Sequence, residues 1–331
     1  MRVVRKVEQA LETEPVSIDM EEVLSQIKKL NKNSKLQVLE SNIGKNLSVF
    51  DSGNETMNYI LGCRGLARGK IIQIVGGTSS GKTTLSQLFM ASVQKAGKIV
   101  AWEDAEHAFE PEYAQRFGID LTKMLVEEPA SAEEVFSNIF AMLNVKDIGA
   151  IVVDSVASLT PEAELDDSKQ KALLASFLSV NLKKLTSRMT KDSPAIILLN
   201  QERDKFDAMS FGEKSKGAGG RAVDFYSHII LKTSRIGKVK NKEETKVIGV
   251  KTKVEAKKNK LGMPFREGVL LVDYRKGISR FSGFIELLEE LKIISKSGRD
   301  YSYKGTVFKK EEIQDIFETN KDAIIQAMEE D

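Results

Sequence analysis

Lys70-Ile71-Ile72-Gln73-Ile74-Val75-Gly76-Gly77-Thr78-Ser79-Ser80-Gly81-Lys82-Thr83-Thr84 decides the fold of this chain. An apolar strand runs into a loop of the form G-x-x-x-x-G-K-T, and residues 85–96 continue with helical periodicity. Glycine at Gly76 and Gly81 lets the backbone turn tightly and aim N–H groups inward at phosphate oxygens. The following helix adds the positive end of its dipole. Lys82 can reach the β- and γ-phosphates of a nucleoside triphosphate, and Thr83 offers its hydroxyl to Mg²⁺. Gly77, Thr78, Ser79, Ser80 and Thr84 complete the phosphate-binding segment. The bland alternative is a chance match in a glycine-rich turn, and the strand before and helix after argue against it.

Outward from this loop, apolar strands are expected at 99–102, 148–153 and 195–199, with helical patterns at 132–144 and 172–186. Strands alternating with helices predict an α/β fold, a mostly parallel sheet covered on both faces. Ligands of such sheets sit beyond the carboxyl ends of the strands, so the residues there carry the chemistry. Glu103-Asp104-Ala105-Glu106-His107 follows the first strand, and a carboxylate here could orient or deprotonate an attacking water. Spacing alone leaves Glu103 and Asp104 in competition with Glu106. Asp154 ends the second strand, where it would hold the hydration shell of Mg²⁺. Asn200 and Gln201 end the third, placed to sense a γ-phosphate.

Further on, 224–231 and 247–256 read as strands separated by a turn at 236–244, and 269–273 closes the sheet. Residues 202–221 form a glycine-punctuated stretch without period, expected to be a long loop. Three domains are expected: a helical oligomerisation segment over 1–45, a nucleotide-binding core over 46–276, and a small α+β domain with an acidic tail over 277–331. The first rests on Met20, Val23, Leu24, Ile27 and Leu30 at helical spacing, a stripe that packs either on the chain's own core or on another subunit.

Composition sets limits. Charged residues are 30% of the 331 and the net charge is +2, so the overall balance does not point to nucleic acid. Eleven Lys or Arg stand against three Glu over 232–260, and eight acidic residues against one Lys over 311–331; each block alone reads as a solvated face. Cys63 is the only cysteine, which excludes an internal disulfide and a cysteine metal cluster and fits a reducing compartment, with the cytosol as default. No apolar run approaches the length of a membrane span, and the first residues are charged where a signal peptide would be hydrophobic. His107 and His228 have no ligand cluster around them in the sequence.

Together these residues resemble the RecA family of DNA recombinases, bacterial or phage type, over about 49–308. The resemblance rests on 76–84, Asp104-Ala105-Glu106-His107-Ala108, 151–161, Asn200-Gln201, Lys258-Asn259-Lys260 and 301–305. It implies a RecA-like P-loop ATPase that uses ATP and Mg²⁺, forms filaments on single-stranded DNA, and pairs that strand with a homologous duplex. By position, Glu106 matches the glutamate that activates water, Tyr113 the aromatic that stacks on adenine, and Gln201 the glutamine linking the γ-phosphate to the DNA loops. Lys258 and Lys260 match lysines that reach the γ-phosphate bound by a neighbouring subunit, and the N-terminal helix matches a part that packs on that neighbour.

Residues 162–176 and 202–221 resemble the family's two DNA-binding loops, which hold single strands largely through phosphates. Ser179, Lys183, Arg203, Met209, Phe211, Gly219, Gly220 and Arg221 are the implied DNA contacts. Ser176 stands where bacterial members carry an arginine, and the first loop is shorter than theirs. The resemblance also implies accessory single-strand-binding or loading proteins, in a bacterial cell or a phage-infected host. The competing expectations are a hexameric helicase with a related core and a filament scaffold that binds nucleotide without turning it over.

Overall fold

The computed structural model describes residues 19–32, 36, 47–164, 170–202, 221–241, 243 and 245–330. The chain divides into two compact units, Met1–Asn46 and Leu47–Asp331. In the first, helix α1 (Met20–Leu30) starts at Asp19, whose carboxylate accepts from the backbone N–H of Glu21 and Glu22. Its first turn is acidic and its last turn basic, as the helix dipole favours, and none of its residues is buried within the chain.

The second unit is built on an eight-stranded sheet. In chain order its elements are β1 (Val49–Phe50), α2 (Glu55–Leu61), β2 (Leu66–Ala67), β3 (Ile71–Gly76), α3 (Lys82–Lys95), β4 (Ile99–Asp104), α4 (Pro111–Arg116), β5 (Met124–Glu127), α5 (Ala132–Met142), β6 (Ile148–Asp154), α6 (Gln170–Arg188), β7 (Ala195–Gln201), α7 (Arg221–Tyr226), β8 (Ile229–Lys240), β9 (Val247–Asn259) and β10 (Glu267–Asp273). The sheet runs β10-β9-β8-β3-β7-β6-β4-β5. Neighbours from β8 to β5 are parallel, while β9 and β10 are antiparallel. Strands β3, β6 and β7 are nearly continuous apolar runs because both faces are covered, each by its own core cluster.

Beyond the sheet, α8 (Phe284–Glu290), the three-stranded meander β11 (Ser295–Ser297), β12 (Asp300–Tyr303) and β13 (Thr306–Phe308), and helices α9 (Ile313–Thr319) and α10 (Lys321–Glu329) share a third core around Phe284, Tyr303, Phe317 and Ile324. Asn54 and Thr56 tie this region to the sheet by donating to the carbonyl of Ser282.

Three expectations change. Residues 224–231 are not one strand: α7 ends at Tyr226 and β8 begins at Ile229. Val223 packs in the core and α7 lies against α6, while Phe225 is exposed, so tertiary contact overrides β propensity. The turn expected at 236–244 is mostly strand, because the ladder continues past Gly237 with a register shift, pairing Lys238 with Val250 and Lys240 with Val247. Only the tip turns, where the Asn241 side chain accepts from the N–H groups of Thr245 and Lys246. The acidic terminal helix is two helices that meet at Asn320. Strand β5 has no counterpart in the sequence reading; it is a short edge strand with Leu125 and Val126 exposed.

Candidate functional site

The carboxyl ends of β3, β4, β6 and β7 converge, and the phosphate loop rises from the first of them. Gly76 is required by close approach: a Cβ there would lie 2.4 Å from the Thr233 carbonyl and 2.5 Å from the Ser80 hydroxyl. Gly81 caps α3 at φ +93°, and Ser79 is also left-handed at φ +55°. The loop is fastened to both neighbouring strands. Ser80 and Thr233 share a hydroxyl hydrogen bond of 2.8 Å, and Gln201 Nε2 donates to Thr78 Oγ1 at 2.8 Å. Gly77 has open space around its Cβ position, and Thr84 packs inward on the first turn of α3.

Lys82 Nζ donates to the carbonyls of Gly76 (3.1 Å) and Gly77 (2.9 Å). Burial holds its pKa below the ordinary lysine value, opposed by the charges of Asp154 and Glu106. Thr83 Oγ1 donates to Asp154 Oδ2 at 3.2 Å. Asp154 is pushed up to about 6, first by burial and then by the charge of Glu106. A buried carboxylate beside two further acids is a place that favours a cation, so the Thr83–Asp154 pair fits a Mg²⁺ held with triphosphate oxygens. Among the described residues no group of three or more His, Cys, Asp or Glu is arranged to hold a metal by itself.

The three acids that spacing left in competition separate in space. Glu103 turns to Asn138, which donates to it at 3.3 Å and to Glu127 at 2.8 Å. Asp104 accepts from the N–H of Phe109 at 2.7 Å and so caps the turn after β4. Asp104 and Glu106 both act on Asp154, and of the three acids Glu106 is the one whose charge also reaches Lys82. The Glu106 N–H donates to the Asp154 carbonyl, while the hydroxyls of Ser155 and Ser158 donate to its carboxylate. The Asp154–Ser155 peptide is cis.

Tyr113 lines a cavity of about 260 Å³ together with Ser79, Thr83, Val250 and Tyr274. Its ring packs on Phe117 at 4.9 Å. Tyr274, in the turn after β10, lines the same cavity and is an aromatic that sequence reading does not single out. Ser155, Ser158 and Thr233 are likewise partners of site residues that sequence reading does not single out.

Lys258 and Lys260 are not brought to this loop. Lys258 pairs in register with Ile230, and Ile229, one residue before, pairs with Ile72 near the start of β3. Lys258 Nζ donates to the carbonyls of Asp224 and Phe225, and Lys260 lies over the Phe225 ring at 6.0 Å. The two lysines therefore sit toward the end of the sheet opposite Gly76: Lys258 is level with Gln73, about 10 Å from Gly76 along β3 at the usual rise per residue, and Lys260, whose N–H donates to the His228 carbonyl, lies further away. Ser179 and Lys183 are exposed on α6, and Arg221 is exposed at the start of α7, against which α6 packs. Arg203, Met209, Phe211, Gly219 and Gly220 lie outside the described residues, as does most of 202–221.

This is the architecture of a P-loop nucleotide-binding protein with a RecA-like sheet order. Residues 18–279 match the sequence profile of the RecA N-terminal domain, and the chain belongs to the RecA family. It is 37% identical over 292 residues to Protein RecA of Mycoplasma mycoides, covering 87% of this chain and 84% of that one. To Protein RecA of Acinetobacter baylyi it is 36% identical, covering 86% and 82%. To that of Chloroherpeton thalassium it is 39% identical, covering 78% and 72%. The crystal structure of the RadB recombinase superposes with a TM-score of 0.53 at 21% identity, over 70% of this chain and all of that one, a likeness of fold.

Proposed function

We propose that this RecA-family chain is a DNA-dependent ATPase that assembles on single-stranded DNA and promotes homologous pairing and strand exchange. The observation that carries the proposal is the meeting of Lys82, Asp154 and Glu106 at a loop whose crest is hydrogen-bonded to Gln201, the residue leading into 202–221. Lys82 would exchange the Gly76 and Gly77 carbonyls for phosphate oxygens. Thr83 and Asp154 would hold Mg²⁺, which when bound with ATP neutralises charge on the β- and γ-phosphates. Glu106, steered by Ser155 and Ser158, would take the proton of the attacking water. Tyr113 and Tyr274 would flank the base.

Lys258 and Lys260 would complete the site of an adjacent copy, and their distance from Gly76 of their own chain supports that reading. Ser179, Lys183 and Arg221 would touch the DNA backbone, together with the residues of 202–220. The deciding experiment is the ATPase rate with and without single-stranded DNA, with filaments followed by electron microscopy. Stimulated turnover on open filaments is expected. Closed rings would instead favour the helicase, and nucleotide binding without turnover the scaffold.

A further inference from the structure

The residue that follows Gln201, just beyond the end of β7, has a structural attachment of its own. Glu202 meets the Lys232 ammonium through both oxygens, at 3.1 and 3.2 Å. Side-chain exposures of 15% for Glu202 and 29% for Lys232 set the pair apart from freely solvated ion pairs, which contribute little. The two residues belong to opposite sides of the phosphate-loop strand. In β3, Gly76 pairs with Gln201 on β7, and Val75 pairs with Lys232 on β8. The ion pair thus spans two strand spacings, about 9–10 Å, across the end of β3.

Above the same point, Gln201 holds Thr78 and Thr233 holds Ser80. The N–H of Glu202 donates at 3.1 Å to the Gly76 carbonyl, the one that also accepts from Lys82. Loop, strand end and both flanking strands therefore close into one ring of contacts. Lys232 is held above the usual lysine value against its burial because Glu202 accepts from it, while Lys257 beside it is held below by burial and by the Lys232 charge.

We propose that the Glu202–Lys232 pair is a strap across β3 that keeps Gln201 in register with the phosphate loop, making both members positioning residues for DNA-stimulated turnover. The strap acts through Gln201 and touches no substrate. Its role in turnover rests on the function proposed above; its role in holding Gln201 does not.

The test uses the full chain carrying Lys232→Met, which keeps the apolar stem and removes the charge. Amide exchange at Glu202 should quicken about fivefold. Affinity for a fluorescent ATP analogue should stay within about twofold, while DNA-stimulated kcat falls about tenfold with little change in KM. The swap Glu202→Lys with Lys232→Glu should restore slow exchange and most of the stimulation, which a general loss of structure would not allow. Unaltered exchange in Lys232→Met overturns the strap, as does a swap no better than either single change. A wild-type chain without DNA-stimulated turnover would remove the proposed function, and exchange at Glu202 would still decide the strap.

Discussion

The Gln201 carboxamide donates to the Thr78 hydroxyl across 2.8 Å, joining residues 123 positions apart and linking the end of β7 to the crest of the phosphate loop. A triphosphate held at this loop, as proposed, would thereby be linked through one hydrogen bond to the start of 202–221. Gln201→Asn shortens the side chain by one methylene and breaks this reach. It should lower DNA stimulation of the ATPase by about tenfold while nucleotide affinity stays within about twofold. Steady-state rates across a DNA titration check it, and full stimulation would refute the coupling.

Glu106 accepts from two serine hydroxyls and so has little freedom to turn away from the loop. Glu106→Gln preserves the shape and removes the carboxylate proposed as base. Turnover should fall by about 10²–10⁴-fold with ATP binding intact, as measured by single-turnover hydrolysis beside equilibrium binding. Unchanged hydrolysis would remove Glu106 from the role of base.

Lys258 offers a test of the inter-subunit site. Lys258→Ala and Glu106→Gln chains should each be nearly inactive alone. Mixed in equal amounts they should regain about a quarter of wild-type turnover, because a head-to-tail array pairs an intact Glu106 with an intact Lys258 at that fraction of contacts. No recovery on mixing would show that the lysine does not act in trans.

Glu103 carries a pH prediction. Burial, with Glu127 and Glu134 nearby, raises its pKa from 4.5 to about 7, although Asn138 donates to it. The unfolded chain ionises first, so this group weakens the fold as pH rises from about 4.5 to 7, and the cost is complete above that. Glu103→Gln should therefore stabilise the protein by about 3 kcal/mol at pH 8 and by almost nothing below pH 4.5. Thermal unfolding of the two proteins across that range checks the sign.

Much of this candidate site was legible in the sequence because each strand ends on a residue to which the proposed chemistry is assigned. The strand before Gly76, the one before Asp154 and the one before Gln201 are apolar runs buried on both faces, and such runs announce themselves. What could not be read were pairings across long separations. Nothing in the local sequence distinguishes Tyr274 from any turn tyrosine, or shows that Thr233 lies under Ser80. Spacing could not choose among Glu103, Asp104 and Glu106, because the choice depends on Asn138 and the Phe109 N–H claiming the first two. Helix α7 was misread because its aromatic residues follow strand preference, and only its packing against α6 decides otherwise.

Lys82 and Lys258 stand at opposite ends of one sheet, which gives the chain a head and a tail. A row of such copies, joined as proposed, always has one fewer complete site than it has members. One terminus carries a phosphate loop without a neighbour's lysines, and the other carries lysines without a loop to reach. The two ends are then chemically different objects, so growth and loss need not proceed at equal rates at both, and the array has a direction before any DNA lends it one.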